Sequence, residues 1–151
     1  MTWDEFFMGM AFYVSHKSKD PSTKVGAAIA KKKKLKSIGF NGPPANVNDD
    51  PNMPREVKYK RTIHAEVNAI LSYGKKLKGC TIYVTHHPCS QCAAKIIQVR
   101  IKKVVYPKPT ENFLSRWGDD IIEAKKMFEE ANIEVVECDY NENWDCVGCP
   151  S

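Results

Sequence analysis

The sequence lacks the features of an exported or membrane-embedded protein. Its first residues, Met1 to Glu5, contain two acids and no basic stretch, so they do not resemble a secretory signal. The longest apolar run, from Phe6 to Val14, is far shorter than the roughly 20 residues that a membrane helix needs. Internal repeats and low-complexity segments are also missing. We therefore expect a cytoplasmic protein without membrane contact. Its six cysteines are expected to be free thiols or metal ligands in preference to disulfides.

Size and charge narrow the class further. A chain of 151 residues with 42% hydrophobic residues fits one globular domain. The net charge is +5, and much of it lies at residues 31–34 and at Lys36. We expect this run to form a solvated hairpin turn, and nucleic acid is not an expected partner. Positive charge also attracts anionic nucleotides, so charge alone does not identify the substrate.

Local patterns predict alternating helices and strands. Thr2 followed by Glu5 has the form of a capping box and predicts a helix to about Val14. Residues 41–61 are rich in Pro, Asn and Asp and predict a long irregular loop. The alternation predicts an α/β domain with helices on both faces of one sheet. The other predicted elements are helices that start near His64 and Cys89 and at residues 119–131, and strands at 25–30, 35–40, 81–85, 103–106 and 133–137.

Two short motifs carry the chemistry. The first reads His-Ala-Glu at residues 64–66, and the second reads Pro-Cys-Ser-Gln-Cys at residues 88–92. Imidazole and thiolate are preferred zinc ligands, and three protein ligands leave a fourth tetrahedral position for water. Both motifs open predicted helices, whose positive dipole ends favour thiolates. We therefore predict one catalytic zinc per chain, held by His64, Cys89 and Cys92.

Glu66 is the predicted acid/base. His-x-Glu followed by Pro-Cys-x-x-Cys resembles the signature of zinc nucleobase deaminases. Zinc makes water reactive at neutral pH, and the resemblance implies that this water would attack the amino-bearing ring carbon of a cytosine. A carboxylate in the same pocket would take the water proton, protonate the ring N3 and then protonate the departing ammonia. The alternative role of Glu66 is an acid that favours the start of a helix.

A closed structural zinc site is the main alternative to catalysis. Such a site needs a fourth protein ligand, for which His86 and His87 are the nearest candidates. We interpret both histidines as polar residues lining a cleft. A zinc-stabilised binding module without turnover is the corresponding alternative function.

Further segments extend the two zinc motifs into a family resemblance. In order, they are Ser-His-Lys-Ser-Lys-Asp-Pro at residues 15–21, Lys-Val-Gly at 24–26 and Gly-Phe-Asn-Gly at 39–42. With the zinc motifs, they make the chain resemble the deoxycytidylate (dCMP) deaminases. The resemblance runs to about Asp139, so we expect a catalytic domain over 1–139 and a tail over 140–151.

The resemblance implies a fold and a reaction. The fold is the cytidine-deaminase-like three-layer α/β/α sandwich with a five-stranded mixed sheet. The reaction is zinc-dependent hydrolysis of dCMP to dUMP and ammonia, which supplies a dTTP precursor. A base deaminase acting on tRNA or single-stranded nucleic acid is the alternative enzyme.

Regulation is also implied by the resemblance. Relatives are commonly homohexamers, activated by dCTP and inhibited by dTTP between subunits, and such a triphosphate would bring Mg²⁺. Phe40 stands where the family has Tyr, so any contact of that hydroxyl is lost. The predicted effector residues are Gly39, Phe40, Gly42, Asp49, Asp50 and Arg55. The last three would alternatively contact a neighbouring subunit or be simply solvated.

Substrate contacts are predicted from side-chain chemistry and from the resemblance. Asn41 would hold sugar or base near the metal, or would serve as a turn residue before Gly42. Hydroxyl and ammonium groups at Ser15, Lys17 and Lys19 suit a 5′-phosphate, or the C-terminus of the first helix. Tyr106 would stack on a pyrimidine or belong to the core. The predicted substrate-binding set is Asn41, Ser15, Lys17, Lys19, Ala65 and Tyr106.

The tail departs from the family pattern. Cys146 and Cys149 form a second Cys-x-x-Cys beyond the recognisable domain. With Cys138 they would bind a second metal, pair oxidatively or belong to a terminal strap, and we favour the strap because a fourth ligand is not evident.

Overall fold

The computed structural model describes residues 1–139, so the predicted tail with Cys146 and Cys149 lies outside the described residues. Within the described part, no helix has the length and apolar character needed to cross a bilayer. The helices and strands are α1 (Trp3–Ser15), β1 (Gly26–Lys31), β2 (Lys34–Phe40), α2 (Arg55–Arg61), α3 (Ala65–Tyr73), β3 (Thr81–Val84), α4 (Ser90–Gln98), β4 (Lys103–Pro107), α5 (Glu111–Glu130) and β5 (Glu134–Cys138).

Five strands form one mixed sheet in the order β2-β1-β3-β4-β5. Strand β1 is antiparallel to both β2 and β3, whereas β3, β4 and β5 run parallel to one another. The carboxyl ends of the three parallel strands therefore meet at one edge of the sheet. The predicted five-stranded mixed sheet is confirmed.

Helices cover both faces of this sheet. On one face, α1 buries Phe7, Met8 and Ala11 against Ala28 and Tyr83. On the other face, α3, α4 and α5 form a larger core. That core includes Ala65, Ala69, Ala93, Ile96, Ala124 and Phe128 from the helices and Ala27, Ile29, Ile82, Val84 and Val104 from the strands. Successive strand residues point to opposite faces, so β1 contributes Ala27 to one core and Ala28 to the other. The predicted three-layer sandwich is confirmed.

The first helix begins where its sequence predicts. The Thr2 side chain accepts a hydrogen bond from the backbone N–H of Glu5, and the Glu5 carboxylate accepts one from the backbone N–H of Thr2. This reciprocal pair satisfies two backbone donors that a helix start leaves without partners. The predicted capping box is therefore confirmed.

Two details of the predicted secondary structure are wrong, a missed helix and the start of another. The loop predicted over 41–61 contains α2, because Pro, Asn and Asp are concentrated before Arg55 while the segment after it is rich in helix-compatible residues. Helix α5 begins at Glu111, eight residues before its predicted start. Thr110 caps it by accepting a hydrogen bond from Phe113 N, and Gly118 weakens the helical signal of its first half.

The lysine run forms the predicted hairpin turn. Lys31 pairs with Lys34 across β1 and β2, and the two residues between them have positive φ angles of 51° at Lys32 and 64° at Lys33. Two positive φ angles are what a two-residue hairpin turn requires to match the strand twist.

Candidate active site and metal centre

The amino ends of α3 and α4 meet beyond the carboxyl end of β3. His64 is the residue directly before α3, and Cys89 is the residue directly before α4. Cys92 follows one turn into α4 and is buried. The two helix starts therefore bring the imidazole of His64 close to two thiols that lie 25 and 28 residues further along the chain.

These three side chains form a compact donor set. His64 Nδ1 lies 3.2 Å from Cys92 Sγ and 3.6 Å from Cys89 Sγ. All three donor atoms lie within 4.8 Å of one another, and no other such cluster of three or more ligand-type side chains occurs among residues 1–139. One nitrogen and two sulfurs at this spacing fit zinc, which is bound by the same donor types.

The two thiols differ in acidity. Hydrogen bonds from Cys92 and His64 lower the pKa of Cys89 to about 4. The hydrogen bond with Cys89, together with burial, raises the pKa of Cys92. The hydrogen bond with Cys89 raises the pKa of His64. A divalent cation bound by both sulfurs would remove the remaining thiol proton, because a coordinating thiol is deprotonated.

Glu66 lies in the first turn of α3 and is only 4% exposed. Burial raises the pKa of this carboxyl above its ordinary value, and the charge of His64 acts in the opposite direction. A buried carboxyl with a raised pKa is suited to both accept and donate a proton.

Backbone contacts fix the start of α3. Gly42 N donates to Ile63 O at 3.1 Å, and Ile63 N donates to Gly42 O at 2.8 Å, so the residue before His64 is clamped to the end of the β2 segment. A Cβ at Gly39 would lie 2.4 Å from the backbone nitrogen of Ala69, so β2 approaches α3 closely there. The predicted effector residues Gly39 and Gly42 thus lie at positions that hold His64 and Glu66 in place.

Asp120 fixes the start of α4. Its carboxylate accepts a hydrogen bond from Ser90 N at 2.9 Å and another from Ser90 Oγ at 2.6 Å. A carboxylate at a helix amino end satisfies a backbone donor and complements the dipole. Sequence reasoning missed this residue, because nothing in the local pattern of α5 indicates contact with a residue 30 positions away.

The two histidines before the second motif lie outside the donor set. His86 Nδ1 is 3.1 Å from Thr85 Oγ1, and His87 Nδ1 donates to Pro88 O at 2.7 Å. The His87 ring packs on Tyr106 with 4.3 Å between ring centroids, and its Nε2 is buried without a hydrogen-bond partner in residues 1–139. Neither histidine therefore supplies a fourth ligand in the described part of the chain.

The predicted substrate residues have varied surroundings. Tyr106 is fully buried and its hydroxyl donates to Glu137, so the structure places it in the core, one of its two predicted roles. Ser15 is buried, and its hydroxyl donates to Phe12 O. Ala65 is buried at the first turn of α3, whereas Lys17 and Lys19 are exposed.

Asn41 holds the chain beside the site. Its Oδ1 accepts from Val25 N at 2.9 Å, and its Nδ2 donates to Thr23 O at 3.0 Å. Its backbone oxygen accepts from Ser18 Oγ. These bonds join the end of β2 to residues 18–25, and the proposed contact of Asn41 with a ligand stays a prediction.

A pocket brings several predicted residues together. It lies between residues 19–21, the segment after β2 and helix α2. Among its lining residues are Lys19, Asn41, Gly42, Asp49, Lys58 and Arg61. Sequence reasoning missed Lys58 and Arg61, because it placed them in an irregular loop and not on a helix facing Asn41.

The other predicted effector residues are more exposed. Phe40 is 38% exposed, and its backbone oxygen accepts from Asn68 Nδ2. Asp50 Oδ1 accepts from Asn52 N, and Arg55 Nε donates to the Tyr59 hydroxyl. The contacts of Asp50 and Arg55 are local to the segment that precedes and opens α2, whereas the Phe40 contact joins the end of β2 to α3.

Comparison with known proteins agrees with this geometry. Residues 1–108 match the family described as the cytidine and deoxycytidylate deaminase zinc-binding region. An uncharacterized deaminase in the luxG 3′ region of Aliivibrio fischeri is 52% identical over 134 residues, covering 88% of this chain and 91% of the relative. Human deoxycytidylate deaminase is 40% identical over 142 residues, covering 88% of this chain and 78% of the relative.

A solved structure shows the same architecture. The apo crystal structure of dCMP deaminase from the cyanophage S-TIM5 superposes with a TM-score of 0.70 at 25% sequence identity, covering 89% of this chain and 96% of the other. The sheet, the zinc-binding motifs and these relatives lead to one conclusion: the chain belongs to the cytidine and deoxycytidylate deaminase family of zinc-binding hydrolytic deaminases.

Proposed function

We propose that the protein hydrolyses dCMP to dUMP and ammonia. The observation that carries the proposal is the buried Glu66 carboxyl, in the first turn of the helix that His64 precedes, together with the compact His64–Cys89–Cys92 donor set. The deoxycytidylate deaminases among its relatives, including the human enzyme at 40% identity, support dCMP as the substrate.

His64, Cys89 and Cys92 would hold the zinc. Three protein ligands are the number that catalytic zinc sites use, and a bound zinc would supply activation of water at neutral pH. The amino ends of α3 and α4 direct their positive dipole ends toward the thiolates and partly offset the negative charge.

Glu66 would move the protons. It accepts a proton from the attacking water and delivers it to N3 of the cytosine ring, so the ring carbon gains hydroxyl as N3 gains hydrogen. It then transfers the hydroxyl proton to the amino group, which leaves as ammonia and restores the carbonyl of dUMP. Burial of Glu66 excludes bulk water from these transfers.

The 5′-phosphate would be bound by cations close to Asn41. Lys17 and Lys19 are exposed on the segment that Asn41 holds, and Lys19 shares a pocket with Lys58 and Arg61. Ammonium and guanidinium groups are strong phosphate partners. The proposal retains Asn41 for sugar or base, and Ser15 and Ala65 as residues that shape the site from buried positions.

We also propose control by dCTP and dTTP in a homo-oligomer, with a hexamer as the expected form. Exposed apolar side chains on β2 and α3 support a subunit interface, among them Ile38, Phe40 and Leu71. Gly42 and Asp49 line the pocket assigned above to the substrate phosphate, so the effector site stays a prediction from the family resemblance. Phe40 lacks the hydroxyl found in the family, so a weak effector response is expected. The Mg²⁺ predicted with an effector gains no support from residues 1–139.

Substrate comparison tests the proposal. Purified protein should bind about one zinc per chain and release ammonia faster from dCMP than from cytidine, because only dCMP carries a phosphate for Lys19, Lys58 and Arg61 to bind. Equal rates on both would contradict the phosphate assignment. Repeating the dCMP assay with dCTP or dTTP, and measuring mass by light scattering, tests regulation and assembly separately. The cytoplasmic location stays a prediction.

A further inference from the structure

The positive charge of the chain is concentrated in three segments. Residues 31–36, 74–80 and 98–103 contain 11 of the 23 Lys and Arg residues and no Asp or Glu. The remaining 12 basic residues are outnumbered by the 18 acidic ones. The whole excess of +5 therefore originates in these segments, which we call the basic face.

The fold brings the three segments to the end of the sheet opposite the zinc-binding motifs. Residues 74–80 precede β3 and residues 98–103 lead into β4, so both lie at the amino ends of parallel strands. Ala30 pairs with Thr81, which places the hairpin turn after β1 at the same end. Helices α3 and α4 each span nine residues between the two ends, a separation of about 13 Å.

Hydrogen bonds join the three segments into one surface. Lys31 Nζ donates to Lys78 O at 3.0 Å. Gly79 N donates to Arg100 O at 2.9 Å, and Lys102 N donates to Cys80 O at 2.9 Å. The positive charges are therefore held on a connected backbone framework and not on independent loops.

Among the described residues, most of these cations have no acidic partner. In residues 1–139, Lys103 pairs with Asp4 at 2.8 Å, and the other basic-face cations make no ion pair. Trp3 lies at the edge of the face, 49% exposed, with Lys33 Nζ 5.7 Å from its ring centroid. An exposed indole beside exposed lysines combines a stacking surface with phosphate-binding charge.

We propose that the basic face binds single-stranded nucleic acid. Exposed lysines would contact successive phosphates and release their counterions, and Trp3 would stack on a base. Stacking requires an unpaired base, which favours a single strand over a duplex. This binding lies apart from dCMP turnover and would not place the strand at Glu66. The sequence alone did not indicate it, because the three segments are separated along the chain.

Fluorescence anisotropy with a labelled oligothymidylate of about 20 nucleotides tests the proposal. We expect the full chain to bind it, and the affinity to fall about a hundredfold between about 50 and about 200 mM salt, as contact with about five phosphates requires. The triple variant Lys34→Glu, Lys75→Glu and Lys76→Glu should lower the affinity at least about tenfold.

A matched triple variant separates this face from net charge. Lys60→Glu, Lys108→Glu and Lys126→Glu make the same charge change at exposed positions outside the basic face and should retain binding. An equal loss in both triples would overturn the proposal, as would no binding at low salt. Binding a duplex as tightly as the single strand, or binding phosphatidylglycerol vesicles instead of the oligonucleotide, would also overturn it. Unchanged melting temperature and ammonia release from dCMP would show that both triples fold.

Discussion

The two ends of the sheet hold their polar groups in opposite ways. At the carboxyl end of β3, a few groups are buried or half-buried and placed by specific backbone contacts, as Glu66 and Cys92 are. At the other end, many exposed lysines share one surface, and most lack an acidic partner within residues 1–139. Activity at a chemical site depends on the position of each atom, whereas binding to a charged surface depends on the sum of many charges. Single substitutions should therefore have large effects at the first end and small ones at the second.

The largest effect should follow loss of a ligand. Cys92→Ser should reduce bound zinc from about one per chain to nearly none and abolish ammonia release, because two protein ligands are too few for a stable site. Metal analysis after dialysis measures this. Cys80→Ser is the matched control, since both cysteines are 1% exposed but only Cys92 belongs to the donor set. Full zinc in Cys92→Ser would contradict the ligand assignment.

Removing the acid/base should separate chemistry from metal binding. Glu66→Gln keeps the size of the side chain and removes its proton-accepting carboxylate, so ammonia release should fall about 10²- to 10⁴-fold while zinc remains. Glu56→Gln, an exposed position on α2, should change neither quantity. The acid/base role fails if Glu66→Gln retains the rate of the unaltered protein.

Asp120 tests whether the position of the α4 start affects zinc binding. Asp120→Ala removes both hydrogen bonds to Ser90 and should weaken zinc affinity about 10- to 100-fold, as loss of an outer partner does at other metal sites. Titration against a chelator measures the affinity. Asp119→Ala removes an exposed neighbouring carboxylate and serves as the control. Identical affinities in the two variants would show that the α5 contact does not position the ligands.

Gly39 tests the close approach of β2 to α3. Gly39→Ala places a methyl group against the Ala69 backbone and should lower the free energy of unfolding by about 1–3 kcal/mol. Gly118→Ala has open space at its Cβ within α5 and should raise it by up to about 1 kcal/mol. Urea unfolding compares the two. Similar changes of either sign would mean that β2 can shift away from α3.

The smallest effect should come from one lysine of the basic face. Lys75→Ala removes one of several equivalent charges, so the slope of log affinity against log salt should change by only about 0.7. Oligothymidylate titrations at several salt concentrations give this slope. Loss of all binding from this one substitution would show that the face acts through a specific contact.

Sequence patterns predicted what depends on neighbouring residues. The capping box of Thr2 and Glu5 located α1, and the spacing of the cysteines placed both at the start of α4. The sheet and its layers followed from alternating elements and the family resemblance. Helix α2 was missed because Pro and Asn before Arg55 dominated the composition of the segment.

Apart from the three zinc ligands, which the motifs identified, the contacts between distant segments were beyond sequence reasoning. Asp120 reaches Ser90 only because α4 and α5 pack together, and an acid in an amphipathic helix is ordinarily solvated. The basic face could be recognised only from the register of β1 with β3, because that register makes the hairpin lysines and residues 74–80 neighbours. Similarly, the pocket cations Lys58 and Arg61 face Asn41 only through the helix that the loop prediction omitted.

The paired hydrogen bonds between Gly42 and Ile63 join the two ends of the segment that contains α2. Insertions between Gly42 and Ile63 would leave these hydrogen bonds in place, since doubling the length of a flexible loop adds only about 0.6 kcal/mol of closure entropy. This segment could thus be exchanged for a longer or shorter one without retuning the catalytic geometry. Grafting segments of different length here is a direct route to altering ligand preference.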